Sequence, residues 1–110
     1  MPKKTYTELP RVTAFFQEQS ADVNTEYALI VNMLEENGQL SMPFGEPLPQ
    51  FGLFAIRTIK AGNVRVFYVY GKSDRVFGLH AYVKRTREIP VHERKTAQKL
   101  AAQLRKMGYL

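Results

Sequence analysis

Three strand-like segments separated by short turns dominate the second half of the chain. Their sequences are LFAIRTIK (53–60), VRVFYVY (64–70) and RVFGLHAYV (75–83). All three are rich in the β-branched and aromatic residues that strands favour. The connecting stretches, residues 61–63 and 71–74, combine glycine with asparagine, serine or aspartate, which is typical of tight turns between antiparallel neighbours. The sequence therefore predicts a three-stranded antiparallel meander.

Helices are predicted both before and after this meander along the sequence. Thr7 is a candidate N-cap for a short first helix, and the apolar spacing over 22–37 predicts a second helix that stops at a glycine. A final helix is expected over 90–107, with proline in its first turn. Between the second helix and the meander, SMPFGEPLPQFG (41–52) contains three prolines and two glycines, so we expect a connecting loop there.

The order of these elements predicts the fold class. Two helices, three strands and a last helix form an α+β fold, and we expect residues 1–110 to make one such domain, with room for an extra N-terminal edge strand. The helices would cover one face of the sheet and leave the other open to solvent. Because side chains alternate along a strand, His80, Tyr82 and Lys84 are expected on the open face and Leu79 beneath the helices.

Positive charge is concentrated in the second half of the chain. Residues 1–56 contain three lysines and arginines against seven acids, a net charge of −4, whereas residues 57–110 contain thirteen against three, a net charge of +10. Arg57 and Arg65 lie within otherwise apolar strands, where an unpaired charge is costly to bury. With so few acids nearby, most of these cations need water or an external anion, which indicates a surface for nucleic acid or an acidic partner.

The sequence lacks the motifs of several enzyme classes. It contains no HExxH, Walker loop, GxSxG or GxGxxG, so metal-dependent proteolysis and nucleotide or dinucleotide binding have no support. Acids near the basic region are too few for a two-metal nuclease site, and we expect neither a metal nor a cofactor. Cysteine is absent, which fits a reducing compartment, and no apolar run suits a membrane helix. We therefore expect a cytoplasmic protein without membrane contact.

Arginine, lysine, histidine and tyrosine beside an open sheet suit metal-free cleavage of RNA. In that reaction the 2′-hydroxyl attacks the adjacent phosphate, so the protein must accept a proton, stabilise the crowded phosphate and protonate the leaving oxygen. Arginine matches phosphate oxygens geometrically, and aromatic side chains can stack on bases. The same residue types also form surfaces that bind RNA without cutting it, so the inventory alone is compatible with both functions.

Three segments, in this order and spacing, resemble the HigB-like, phage-derived branch of the RelE/ParE toxin superfamily. They are GLFAIR (52–57), VRVFY (64–68) and LHAYVKRT (79–86), within a similarity that covers residues 25–107. The resemblance implies a RelE-like fold and the toxin of a type II toxin–antitoxin pair. It further implies an endoribonuclease (mRNA interferase) that cuts messenger RNA on the ribosome, with a cognate antitoxin that we expect to be of the helix-turn-helix type.

The resemblance also implies residue roles. Arg57 and Arg65 are expected to stabilise the scissile phosphate, with Lys84 and Arg85 extending the cationic cluster. The remaining substrate contacts that we expect are Lys60, Tyr68, His80, Tyr82, Arg87 and Lys95.

Two positions depart from the family pattern. RelE-type toxins place an aromatic hydroxyl at the start of the last helix, where this chain has Val91. His92 is therefore the catalytic residue expected to transfer protons, with His80 as the alternative. Ala55 stands where the family usually has glutamate. These departures leave two rival functions open, a non-catalytic RNA-binding or inactive toxin-like module and a ParE-like inhibitor of DNA gyrase.

Overall fold

Five strands form one mixed sheet with helices on both faces. The computed structural model describes residues 2–110. In chain order the elements are β1 (Thr5–Glu8), α1 (Pro10–Gln17), α2 (Ala21–Asn37), β2 (Gly45–Leu48), a 3₁₀ turn (Pro49–Phe51), β3 (Leu53–Arg57), β4 (Val64–Tyr70), β5 (Arg75–Val83) and α3 (Val91–Lys106).

The predicted meander forms the centre of the sheet. The strand order is β1-β5-β4-β3-β2, and all neighbours are antiparallel except β1, which runs parallel to β5. The α+β class is confirmed, but the sheet has five strands where the meander supplies three. β1 occupies the position of the extra N-terminal edge strand that the sequence allowed.

The prediction of a plain loop over 41–52 is wrong. Residues Gly45–Leu48 pair antiparallel with Leu53–Ile56 and form the other edge of the sheet. Pro47 argues against a central strand, but an edge strand needs partners on one side only and tolerates a missing N–H. A proline-rich stretch can therefore add a short strand without continuing the sheet.

The helix boundaries follow the local chemistry, with one correction. Thr7 does not cap α1, because it belongs to β1; Leu9 is the N-cap residue and Pro10 opens the helix. α2 is capped by Ser20, whose hydroxyl accepts the N–H of Val23 at 3.2 Å. It ends at Gly38 in the left-handed conformation (φ 74°), as the sequence predicted.

Each face of the sheet carries its own apolar core, so the prediction of an open face is wrong. On one face α1 and α2 bury residues such as Phe16 and Ile30 against β4 and β5. On the other face α3 buries Ala97, Ala101 and Leu104 against the same strands. Two of these α3 residues are alanines, whose small side chains let a helix approach a sheet closely.

A bulge in β5 changes which side chains share a face. Phe67 pairs with His80 and Tyr68 with Gly78, so Leu79 is an extra residue opposite this step. Leu79 therefore lies on the α3 face together with His80. The simple alternation predicted from the sequence, which separated these two residues, is wrong at this point.

Candidate functional site

The two strand arginines lie side by side at one end of the sheet. Arg57 ends β3 and pairs in register with Arg65 near the start of β4, a geometry that places directly opposed Cα atoms roughly 5 Å apart. Both side chains lie on the α3 face, because the neighbouring Ile56, Val64 and Val66 pack in the opposite core beneath α1 and α2. Like charges placed opposite one another on a sheet destabilise it.

Among residues 2–110, neither guanidinium group forms an ion pair with a carboxylate. The ion pairs within residues 2–110 are Lys3–Glu36, Lys4–Asp74, His80–Glu93 and His92–Glu93. In this part of the chain, therefore, none of the thirteen lysines and arginines of 57–110 is paired. The cationic half is not neutralised by the acidic N-terminal helices.

Both arginines retain hydrogen-bonding capacity. Arg57 Nε is buried without a partner among residues 2–110, and its Nη1 lies 3.8 Å from Met42 Sδ. Arg65 is only 7% exposed, and its Nη1 donates to the carbonyl of Val64 at 3.2 Å. Since a guanidinium group has five N–H donors, an anion at this position could accept several that the protein leaves free.

The electrostatic environment of Arg65 reflects this arrangement. Burial, followed by the positive charge of Arg57, lowers the pKa of Arg65, while Tyr82 and Glu46 act in the opposite direction. Arginine begins from so high a pKa that its guanidinium group stays charged at physiological pH. The protein thus maintains a partly desolvated positive charge whose repulsion from Arg57 a bound anion would relieve.

Tyr82 lies next to the arginines but is covered. It pairs in register with Arg65 across β4 and β5, and its ring stacks on Phe67 with centroids 5.5 Å apart. Burial raises the pKa of Tyr82 to about 12, with Arg65 opposing and Glu93 adding to the shift, so the hydroxyl is protonated at neutral pH. With 4% of its surface exposed, the ring cannot serve as the base-stacking surface that the sequence suggested.

A carboxylate joins both histidines at the start of α3. Glu93 Oε1 lies 2.9 Å from His80 Nε2 and 3.3 Å from His92 Nε2. On its other side, His80 Nδ1 is 3.3 Å from Arg11 Nη1. Because arginine can only donate, Nδ1 must accept, and Nε2 then carries the proton and donates to Glu93. His80 is held on both ring nitrogens, whereas the His92 side chain is 82% exposed.

The connection between β5 and α3 brings further cations to the same end of the sheet. The N–H of Lys84 donates to the Asn63 carbonyl at 2.7 Å, and Asn63 Nδ2 donates to the Lys84 carbonyl at 2.7 Å. This pair of bonds ties Lys84 to the β3–β4 loop beside the two arginines. Lys84 Nζ donates to the Arg87 carbonyl at 2.9 Å, and the side chains of Arg85 and Arg87 are exposed.

Comparison with known protein families decides the assignment. The family described as "Phage derived protein Gp49-like (DUF891)" matches residues 14–102, most of the chain. The chain belongs to this Gp49-like family. It is a RelE-like, toxin-related family, which agrees in part with the branch that the sequence resembles. No curated protein matches the chain.

The structure of this Gp49-like protein separates the predicted site residues into groups. Arg57, Arg65, Lys84, Arg85 and Arg87 gather at one end of the sheet, with His80, Tyr82 and His92 beside them. Lys60 and Lys95 are exposed, in the β3–β4 loop and on α3 respectively.

The position of Tyr68 does not fit its predicted role. Tyr68 is 1% exposed and stacks on Phe54 beneath α1 and α2, with centroids 5.5 Å apart. Burial raises the pKa of the Tyr68 hydroxyl well above its usual value, so Tyr68 is a neutral core residue. Its predicted contact with a surface ligand is therefore wrong, because the ring has no surface to offer.

Sequence reasoning missed three residues of this region. Glu93 stands next to His92 in the sequence and is one of only two acids, with Glu88, between residues 80 and 95, a signal that could have been used. Glu46 lies on β2, which was predicted as a loop, and raises the pKa of Arg65. Arg11 meets His80 from 69 residues away along the chain, and no local pattern predicts that contact.

The residues that the structure describes contain neither a metal-ligand cluster nor a membrane-spanning helix. Within residues 2–110, no three His, Asp or Glu side chains converge as metal ligands. No helix in the same part of the chain is both long and apolar enough to cross a bilayer.

Replacing Arg65 by methionine should stabilise the protein. Arg65→Met keeps an unbranched side chain of similar length but removes a buried, unpaired charge opposite Arg57, so we expect the free energy of unfolding to rise by about 1–2 kcal/mol. Urea unfolding at pH 7 measures this change. Arg75→Met, which removes an exposed arginine at the far end of β5, is the matched control and should change stability little. If Arg65→Met instead lowers the free energy of unfolding by more than Arg75→Met does, the prediction is wrong and Arg65 stabilises the fold.

Proposed function

We propose that this Gp49-like protein is the toxin of a type II toxin–antitoxin pair and acts as a metal-independent, ribosome-dependent mRNA endonuclease. The proposal rests mainly on one observation: Arg57 and Arg65 lie side by side on one face of the sheet, and within residues 2–110 neither has a carboxylate partner. A scissile phosphate is an anion of the size and charge that two adjacent guanidinium groups recognise. Membership of a toxin-related family supports the same reading.

We call Arg57, Arg65, Lys84, Arg85 and Arg87 the phosphate cluster, and in this proposal the cluster acts mainly through charge. When the 2′-oxygen attacks phosphorus, negative charge grows on the non-bridging phosphate oxygens, and fixed donors stabilise that charge most strongly where water is excluded. Arg65 is buried, Arg57 has a buried Nε, and the hairpin holds both residues, so they suit this task. Lys84, Arg85 and Arg87, on the adjoining connection, would hold the neighbouring phosphates of the message.

The proton-transfer role falls to His92 in this proposal. His92 is exposed in the first turn of α3, and Glu93 lies 3.3 Å from its Nε2. His80 is a weaker candidate, because Arg11 and Glu93 occupy both of its ring nitrogens. A base would take the proton from the 2′-hydroxyl as the new P–O2′ bond forms. The P–O5′ bond then breaks and the 5′-oxygen gains a proton, which leaves a 2′,3′-cyclic phosphate and a 5′-hydroxyl end.

One observation favours the non-cleaving alternative. At the start of α3, the exposed residue Val91 has no hydroxyl, and the hydroxyl-bearing Tyr82 is buried. A chain with the phosphate cluster but poor proton transfer would bind RNA and leave it intact. Binding that weakens with salt, without new RNA ends, would identify this alternative.

Growth arrest tests the proposal through single substitutions. Expression of the wild-type chain alone should stop growth, and Arg65→Ala or Arg85→Ala should relieve the arrest, because removing one stabilising donor typically slows such a step about 100-fold or more. Arg75→Ala is the control that removes a distant arginine and should remain toxic. Full toxicity of both site variants would contradict the assignment. A fall in DNA synthesis before any fall in translation would instead indicate a gyrase-type target.

The basic surface also predicts a protein partner. Residues 57–110 carry a net charge of +10, and we propose that a cognate antitoxin, of the helix-turn-helix type, covers part of this surface in the cytoplasm. Co-expression with the product of the adjacent gene should yield a complex and restore growth. If the chain purifies alone and stays toxic in the presence of that product, the partner proposal is contradicted.

A further inference from the structure

Glu26, on α2, holds the β3–β4 loop through its carboxylate. Its two oxygens accept the backbone N–H groups of three consecutive residues, Ile59 at 2.7 Å, Lys60 at 3.0 Å and Ala61 at 2.9 Å. Within residues 2–110 these amides have no other acceptor. Successive backbone N–H groups that point the same way form an anion-binding concavity. Here the protein fills that concavity with its own carboxylate.

The bonds are those of an ionised carboxylate. Burial tends to raise the pKa of Glu26, but the three backbone N–H groups and the charge of Lys60 together outweigh it, so the pKa is lowered. The group is therefore negatively charged at neutral pH. Charge-assisted hydrogen bonds of this kind are stronger than those between neutral groups.

The loop that Glu26 holds connects the two site arginines. Arg57 precedes it and Arg65 follows it, and these two residues form the last register pair of the hairpin. Thr58, 2% exposed, closes the base of the loop by donating its hydroxyl to the Gly62 carbonyl at 2.8 Å and accepting the Val64 N–H at 2.9 Å. Beyond this base, the backbone N–H groups of residues 59–61 are held by the Glu26 carboxylate.

The position of this loop matters because, in the part of the chain that the structure describes, no carboxylate pairs with Arg57 or Arg65 and orients it directly. In most proteins a buried arginine is oriented by an acidic partner, whereas Arg57 and Arg65 have none among residues 2–110. Their mutual repulsion would spread the hairpin ends unless the backbone resists. The carboxylate that supplies part of this resistance lies on the opposite side of the sheet from the phosphate cluster, so it constrains the hairpin without competing for the anion.

We infer that Glu26 is a positioning residue of the phosphate site, which clamps the β3–β4 loop and thereby sets the placement of Arg57, Arg65 and Lys60. The inference rests on the proposed function for its consequence in RNA binding. The clamp itself is a property of the fold and can be measured without RNA.

The test compares Glu26→Gln with Asp22→Asn in the full chain. Both changes remove one negative charge from α2, but Asp22 lies one turn earlier and, within residues 2–110, forms no side-chain hydrogen bond or ion pair with the loop. A glutamine offers one acceptor oxygen and places an amide donor against the loop N–H groups. In Glu26→Gln we expect faster hydrogen exchange at the amides of 59–61 and shifted side-chain Nε–H signals for Arg57 and Arg65. Asp22→Asn should leave both unchanged.

Binding of a short 2′-O-methyl RNA, which cannot be cleaved, supplies the functional arm. At a temperature well below both unfolding transitions, Glu26→Gln should bind it about tenfold more weakly than wild type. Glu26→Asp, which keeps the charge, should recover part of that loss. Unchanged amide exchange would overturn the clamp. Faster exchange with unshifted arginine signals, or with unaltered RNA affinity, would reduce Glu26 to a purely structural role and overturn the inference.

The failures of the two proposals remain distinguishable. If the wild-type chain leaves message ends unchanged in translating cells, the proposed function is contradicted, while the amide and arginine signals still decide whether Glu26 positions the pair.

Discussion

Arg57 and Arg65 lie opposite one another at the loop end of the β3–β4 hairpin, and the remaining structure must overcome the repulsion between these two like charges. A sheet gains nothing from Arg57 and Arg65 in register, and their repulsion costs stability. The remaining structure holds this unfavourable arrangement in place. A destabilising arrangement of this kind is expected at a functional site, because the binding of a ligand can offset the lost stability.

Two apolar cores supply the rigidity that keeps the arginines together. On one face α1 and α2 cover the strands, and on the other α3 packs through Ala97, Ala101 and Leu104. Burial of apolar area on both sides is the main favourable term for a domain of this size. The β5 bulge then places His80 and Leu79 on the same face, where His80 contacts the Glu93 carboxylate at the start of α3.

Local sequence patterns predicted the central elements well because those elements follow local rules. The bounds of β4 and β5 match the segments read from the sequence, and the end of α2 at Gly38 follows from the left-handed conformation that glycine adopts easily. The charged, unpaired state of Arg57 and Arg65 was also foreseeable, since the second half of the chain has too few acids to neutralise them.

Features that depend on contacts distant in sequence could not be read in the same way. The covering of the second face by α3 is a matter of packing, and it changes Tyr82 from an expected surface residue into a buried one. The contact of Arg11 with His80 joins α1 to β5, and the pairing of Gly45–Leu48 with β3 overrides the disfavoured strand propensity of a proline-containing stretch. In each case tertiary contacts outweigh a local preference.

We propose above all that the Arg57–Arg65 pair holds a messenger phosphate while the RNA strand is cut. Mapping of messenger 5′ ends in translating cells, shortly after induction of the chain alone, tests this most directly. We expect new 5′-hydroxyl ends inside translated regions with the wild-type protein, and their absence with the Arg57→Ala/Arg65→Ala double variant at equal protein level. An unchanged set of message ends with the wild-type chain, or the same new ends with the double variant, would contradict this proposal.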